Sequence, residues 1–203
     1  MKFVCEKNTL LDAVSKVGRA VAGKSVHPSL EGILLKANNA SLSLAGYDLE
    51  LGITTRIEAD VEEPGSIVLS AKLFGDIVRR LPNDEVDITV DEKLNVYIKS
   101  GKSEFHILGI SAAEYPELPT VDEGTGFTLP QSTLGSMIRQ TIFAVSQNDS
   151  RPVHKGILFE MEENTLRLVA VDGSRLALRC EKVNNVEEMK FGIPGKTLLE
   201  VMK

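Results

Sequence analysis

Tryptophan is absent from the 203 residues, tyrosine occurs three times and phenylalanine seven, so few rings are available on which nucleobases could stack. Cysteine is scarce as well. Cys5 and Cys180 stand far apart, match no metal-ligand spacing and read as buried or half-buried thiols of a reducing compartment. No apolar run approaches the roughly 20 residues needed to cross a bilayer, and the N-terminus MKFVCEKNTL meets an acid at Glu6 where a signal peptide would be apolar. A cytoplasmic protein is expected. His27, His106 and His154 have no cysteine or acid at ligand spacing and read as surface or turn residues. A Gly-rich phosphate loop, a zinc spacing and a nucleophile elbow are all missing, so neither an active site nor a cofactor is expected. An unrecognised enzyme is the most distant alternative.

What the chain does have is ample apolar content, 42%, and an internal repeat. Pro28-Ser-Leu-Glu-Gly-Ile-Leu returns as Pro152-Val-His-Lys-Gly-Ile-Leu, an offset of 124 positions. The same offset pairs Phe3 with Phe127, Thr9-Leu10 with Thr133-Leu134, Ala20-Val21 with Ala144-Val145, Leu42 and Leu44 with Leu166 and Leu168, Asp48 with Asp172, and Lys72 with Lys196. Across the 79 ungapped pairs, 14 are identical, too many for coincidence. Lys203 then corresponds to Arg79, so the second copy is expected to be incomplete.

Within the first copy a β-α-β-β-β unit occurs twice. Residues 2–6 read as a strand and 9–21 as a helix, with Leu10, Leu11, Val14, Val17 and Val21 at helical spacing. Strands follow near 31–37, 41–45 and 50–58, with Asn38-Asn39 marking a turn. The second unit has a strand at 66–70, a helix at 71–80 built on Leu73, Phe74, Ile77 and Val78, and strands near 85–90, 94–99 and 103–109. Leu81-Pro82-Asn83-Asp84 should stop that helix. Each full domain should hold two helices and two three- or four-stranded sheets, an α+β class with helices on one side of curved antiparallel sheets. The Pro-, Gly- and acid-rich stretch 111–126 reads as a linker, which places domain one at 1–122 and an incomplete domain two at 123–203.

Asp48 and Asp172 share one place in the repeat and could suggest paired carboxylates, but short acids at strand ends favour a turn role. Charge distribution carries more information than the net −6. The predicted helices hold Lys16, Arg19, Lys72, Arg79, Arg80, Arg139, Lys196 and Lys203 against Asp12, Asp76 and Glu200, a net +5, which leaves −11 for the rest of the chain. A basic helical surface on an acidic protein can follow a phosphate backbone without reading bases. It can equally be a solvated face.

The opening MKF, Leu42-Ser-Leu-Ala-Gly-Tyr-Asp-Leu-Glu, Phe127-Thr-Leu-Pro and above all Ala170-Val-Asp-Gly-Ser-Arg-Leu-Ala resemble the β subunit of bacterial DNA polymerase III, the sliding-clamp family, over all 203 residues. The resemblance implies the DNA clamp fold, a head-to-tail dimer of three-domain chains closed around duplex DNA, with helices lining the hole and sheets outside. It implies that the remainder of domain two and all of domain three are missing. It further implies sequence-independent DNA contacts at Lys24, Arg79, Arg80, Arg139, Asn148, Arg151 and Lys196. A partner-peptide pocket would use Val171, Gly173, Arg175 and Leu176, with His154 on the neighbouring strand, and would be completed by domain three. The DNA polymerase III catalytic subunit, the clamp loader and other proteins bearing clamp-binding motifs would be its partners. Ring closure would use the edge strand that carries Lys102, Glu104, Phe105 and Ile107, with Phe105 pointing outward. The alternative is an isolated duplicated-sheet interaction module indifferent to DNA.

Overall fold

Glu6 ends the first strand and starts the first helix in one step. Its carboxylate accepts hydrogen bonds from the backbone N–H groups of Asn8 at 2.8 Å and Thr9 at 2.5 Å, two of the donors that open every helix. Those bonds and one from the Thr9 hydroxyl hold the Glu6 carboxyl below its ordinary range. The helix therefore runs Lys7–Val17 and passes into a 3-10 turn at Gly18–Ala20, two residues earlier than the apolar spacing alone predicts.

The computed structural model describes residues 1–82, 84–119, 127–148, 151–184 and 187–203. The chain divides into two compact units, Met1–Pro119 and Thr120–Lys203. The boundary expected at 122 lies outside the described residues, as do Asn83 of the expected helix stop and 120–126 of the expected linker.

The first unit runs β1 (Lys2–Glu6), α1 (Lys7–Val17), β2 (Gly32–Asn38), β3 (Ser41–Tyr47), β4 (Gly52–Glu58), β5 (Asp60–Glu63), β6 (Gly65–Ser70), α2 (Ala71–Arg80), β7 (Glu85–Val90), β8 (Asn95–Ser100) and β9 (Ser103–Leu108). It forms two antiparallel sheets, β4-β3-β2-β6 and β5-β1-β7-β8-β9. Each β-α-β-β-β unit thus gives its leading strand to the other: β1 pairs with β7, and β6 pairs with β2. The two helices and both sheets share one core, with Phe3, Leu10, Leu35, Leu44, Phe74 and Ile88 at its centre. The second sheet has five strands where at most four were expected, because β5 adds to β1. Its sequence, Asp-Val-Glu-Glu, carries no apolar alternation, and backbone pairing alone makes it a strand.

The expected linker departs further from the reading. Ile110 bridges Val68 through two backbone hydrogen bonds of 2.9 and 3.0 Å. Residues 110–118 then cross the outer face of the β4-β3-β2-β6 sheet. Tyr115 buries its ring with Leu34, Ala45 and Val68, backed by Tyr47, Ala112 and Leu118. Its hydroxyl donates to the Ala45 carbonyl at 3.4 Å, and Ser29 Oγ donates to the Glu114 carbonyl at 2.8 Å. Burial pushes the Tyr115 phenol up to about 12. Apolar side chains inside a Pro-rich stretch make this segment a strap.

The second unit contains α3 (Gln131–Thr141), β10 (Gly156–Glu162), β11 (Thr165–Val171), β12 (Leu176–Lys182), β13 (Met189–Pro194) and α4 (Gly195–Val201). Every one of these elements begins 124 positions after its counterpart: α3 after α1, β10 after β2, β11 after β3, β12 after β4, β13 after β6 and α4 after α2. The sheet order β12-β11-β10-β13 repeats β4-β3-β2-β6. Residues 127–130, which match β1, form no strand. In the first unit β1 bonds to β5 and β7, and the positions that match β7 lie past Lys203.

Candidate functional site

The basic helical residues are presented by amphipathic helices whose apolar stripes are pinned to the core. In α2, Phe74, Ile77 and Val78 are buried, which turns Lys72, Arg79 and Arg80 to solvent. The Ser70 side chain caps this helix at the Leu73 N–H. In α3, Met137, Ile138 and Thr141 are buried and Arg139 is exposed. Lys196 is exposed in the first turn of α4. Lys24 is exposed on the loop after the first helix, and Asn148 and Arg151 are exposed in the matching loop of the second unit. All seven candidate DNA-binding residues therefore reach solvent.

Each of the three helix acids is held by a base on its own helix. Asp12 pairs with Lys16 at 2.5 Å, Asp76 with Arg79 at 3.1 Å and Glu200 with Lys203 at 2.5 Å. Such exposed pairs contribute little to stability, but they cancel charge locally. Arg19, Lys72, Arg80 and Arg139 make no ion pair among the described residues. Within each unit the two helices leave a surface groove at the same place in the repeat. The first, about 600 Å³, is lined by Leu11, Val14, Gly75, Lys72 and Arg79. The second, about 310 Å³, is lined by Leu134, Gly135, Ile138, Arg139 and Met202. Arg139 folds back along its helix, so that a Cβ at Gly135 would stand 3.4 Å from its Nη1. The basic groups thus recur at helix-pair grooves in both units.

The segment proposed for peptide binding is the turn between β11 and β12. The Asp172 carboxylate accepts from Ser174 N and Arg175 N, each at 3.0 Å, from Ser174 Oγ at 2.9 Å and from Arg175 Nε at 2.7 Å. The bonds from Ser174 and Arg175 hold its carboxyl far below the usual range. Asp48 closes the matching turn, accepting from Glu50 N at 3.0 Å and Leu51 N at 2.7 Å. The shared aspartate is a turn residue in both copies. Gly173 has φ +97°, and its position in the first copy is filled by Leu49 at φ +76°. A Cβ at Gly173 would meet nothing within 4 Å, so the backbone conformation alone calls for glycine.

Val171 is half-buried, Arg175 is exposed and Leu176 is 63% exposed. The Arg175 guanidinium carbon stands 5.8 Å from the ring centroid of Phe143, a cation–π arrangement. Phe143 is itself 57% exposed. The sequence reading passed over this residue. A signal existed in the repeat, because Phe143 occupies the place of Arg19 and an aromatic there is out of register with a solvated face. His154 departs from expectation. It lies in the 3-10 turn Pro152–Lys155 before β10, not on a strand, because Pro152 sets the turn and Gly156 begins the strand. Its N–H donates to the Arg151 carbonyl at 3.0 Å and its carbonyl accepts from Ser146 N at 2.9 Å.

At the candidate ring-closure edge, β9 is the terminal strand of its sheet. Lys102 sits in the hairpin turn before it, and Glu104 pairs with Lys99 at 3.5 Å. Phe105 is opposite Ile98, and Ile107 is opposite Val96. Both partners are fully buried, so Phe105 and Ile107 belong to the core-facing side of the strand. Ile107 packs on the core, and Phe105 remains 36% exposed at the rim. The expectation of an outward Phe105 is corrected by this pairing, since residues opposite each other share a face.

Among the described residues no group of three or more His, Cys, Asp or Glu side chains could hold a metal, and no helix is long and apolar enough to cross a membrane.

Comparison with known proteins matches residues 1–119 to the N-terminal domain of the DNA polymerase III beta subunit and residues 128–203 to its central domain. A beta sliding clamp of Bacillus subtilis is 38% identical over 213 residues, covering all of this chain and 56% of that protein. A solved DNA polymerase III beta subunit from Eubacterium rectale superposes with a TM-score of 0.93 at 40% identity, again over 100% of this chain and 56% of the other. The sliding clamp structure from Bacillus subtilis gives a TM-score of 0.93 at 37% identity with the same coverage. The chain spans little more than half the length of the relatives it matches.

Proposed function

Because the chain belongs to the DNA polymerase III beta subunit family, the beta sliding clamps, over its N-terminal and central domains, we propose that it forms the corresponding part of a non-catalytic ring around duplex DNA. The ring acts in the cytoplasm and raises processivity topologically, because a tethered polymerase is held at high effective concentration near its template. The observation that carries this reading is the recurrence of exposed bases, Lys72, Arg79 and Arg80 on α2, Arg139 on α3 and Lys196 on α4, on a chain of net charge −6. With Lys24, Asn148 and Arg151 on the matching loops, they supply contacts to phosphate that carry no base readout.

Partner proteins, the DNA polymerase III catalytic subunit and the clamp loader among them, bind by a short linear motif. Val171, Gly173, Arg175 and Leu176 form one wall of that pocket, with His154 nearby. Leu176 and the stem of Arg175 supply apolar surface, and Asp172 and Phe143 hold the Arg175 head away from it. The free edge at β9, with Lys102, Glu104, Phe105 and Ile107, is the ring-closing contact of a homodimer.

Fluorescence anisotropy of short labelled duplexes tests the DNA reading. Two unrelated sequences should bind with equal affinity. The salt slope should fall by about 0.9 for each phosphate contact removed in a Lys72→Ala, Arg80→Ala, Arg139→Ala variant. Absence of binding at about 50 mM salt, or an unchanged slope in the folded variant, refutes it.

A further inference from the structure

The two matching sheets differ on their outer faces. In β2 the pattern is buried on both sides, and Leu34 is 6% exposed because the 110–118 strap lies over it. In β10, at the same register, Leu158 is only half-buried. The alternation of β10, β11 and β12 puts Ile157, Phe159, Leu168, Ala170 and Ala177 in the core, which leaves Leu158, Val169, Val171, Leu176 and Leu178 on the other side. Cross-strand pairing sets them in two rows, Leu178-Val169-Leu158-Gly192 and Leu176-Val171. Leu178 is 56% exposed. An apolar face of this extent on a sheet marks a contact surface.

We infer that the outer face of the β10–β13 sheet docks an extended peptide segment of a partner protein, in the manner of residues 110–118 on the matching sheet. The occupant bridges the free edge of β13 with its backbone and lays an aromatic ring over Leu158 and Val169. The first copy supplies the template residue by residue. Val68 turns its N–H and C=O to Ile110. Gly192 holds the same register, paired with Leu158 as Val68 is with Leu34, so its N–H and C=O face the free edge. Tyr115 covers Leu34, Ala45 and Val68, whose counterparts are Leu158, Val169 and Gly192.

Two substitutions between the copies specify what fits. Glycine at 192 in place of valine deepens the seat for the ring. At the other end, Gly52 makes room for Leu118, whose Cδ2 would stand 3.0 Å from a Cβ there, whereas Leu176 fills that place itself. The partner segment therefore carries an aliphatic residue at the bridge and an aromatic residue about five positions later, and it needs no leucine after that. This inference rests on the peptide-docking reading of the second unit and extends it to Leu158, Val169, Leu178 and Gly192, outside the turn that carries Arg175.

The probe is a fluorescent peptide with the sequence of residues 109–117, titrated against the 203-residue chain. Saturable binding is expected. Leu178→Glu, in protein whose circular dichroism and thermal transition match the parent, should weaken it by about tenfold or more. N-methylation of the peptide isoleucine, which removes one bridge donor without touching the protein, should weaken it several-fold, and alanine for its tyrosine should abolish it. No binding at any soluble peptide concentration overturns the inference. So does binding indifferent to both Leu178→Glu and the N-methyl group. If that indifferent binding is lost in Leu176→Ala, the pocket at the turn stands and the sheet-face site falls.

Discussion

Replacing Gly173 by alanine adds one methyl group to a turn where nothing lies within 4 Å to meet it. Any loss of stability must then come from the backbone, which holds φ at +97°. A Cβ in the left-handed region costs roughly 1–2 kcal/mol. Alanine also narrows the unfolded ensemble, which returns about 0.4–1 kcal/mol. The expected net loss is about 1 kcal/mol. The first copy runs the experiment in reverse. Leu49 occupies the same turn at φ +76° and is 58% exposed, so Leu49→Gly relieves strain while giving up little packing. A stabilisation of about 0.5 kcal/mol is expected once the extra freedom of glycine in the unfolded chain is deducted. Urea unfolding monitored by circular dichroism resolves both changes. With m near 2 kcal/mol/M, the midpoint of Gly173→Ala should fall by about 0.5 M. The two variants must move in opposite directions. If Gly173→Ala is neutral, or if Leu49→Gly destabilises as much as it does, positive φ is not what selects glycine at this turn.

Acidification should loosen the same turn. The Asp172 carboxyl is depressed in the folded chain, so its contribution is present above the unfolded value of about 3.9 and is lost as pH falls towards the folded one. Asp172→Asn should flatten the acid limb of the thermal-stability profile, and an unchanged limb would place the titrating group elsewhere. The strap over the first sheet predicts that Tyr115→Ala destabilises by about 3 kcal/mol or more through the cavity it leaves. Tyr115→Phe should cost under about 1 kcal/mol, since its hydroxyl bond is long at 3.4 Å. Equal losses in denaturant titration would contradict the packing account. Of the two free thiols, Cys5 is buried, with its pKa pushed up to about 12 by burial, and Cys180 is exposed. Ellman's reagent should titrate one thiol quickly in the native chain and the second only in denaturant.

The repeat was legible because each copy builds the same core from the same spacing. Leu42 and Leu44 of β3 reappear as Leu166 and Leu168 of β11, and the identical offset then places every matched helix and strand start. Helix α2 could be bounded at 71–80 from local signals alone, a Ser cap, one apolar stripe and a following proline. The basic residues of the helices were legible for the same reason, since a buried stripe dictates which side chains are left in water. The candidate site residues came from a resemblance in a single turn motif, and their contacts did not follow from it. Phe143 against Arg175, and His154 in a 3-10 turn, depend on where separate segments meet.

Tertiary structure alone decided the exchange of β1 and β6 between the two units of the first domain. A strand pattern records which face is apolar and says nothing of the neighbour that completes the ladder. Strand β5 formed without apolar alternation because its backbone found β1. Residues 110–118, polar and Pro-rich enough to read as a linker, became a strap because Tyr115 found a sheet face to cover. The order of apolar and polar residues along this chain determined its elements and their repetition. Which elements share hydrogen bonds, and which faces are covered, was settled by contacts between residues distant in sequence, whose energies no local pattern encodes.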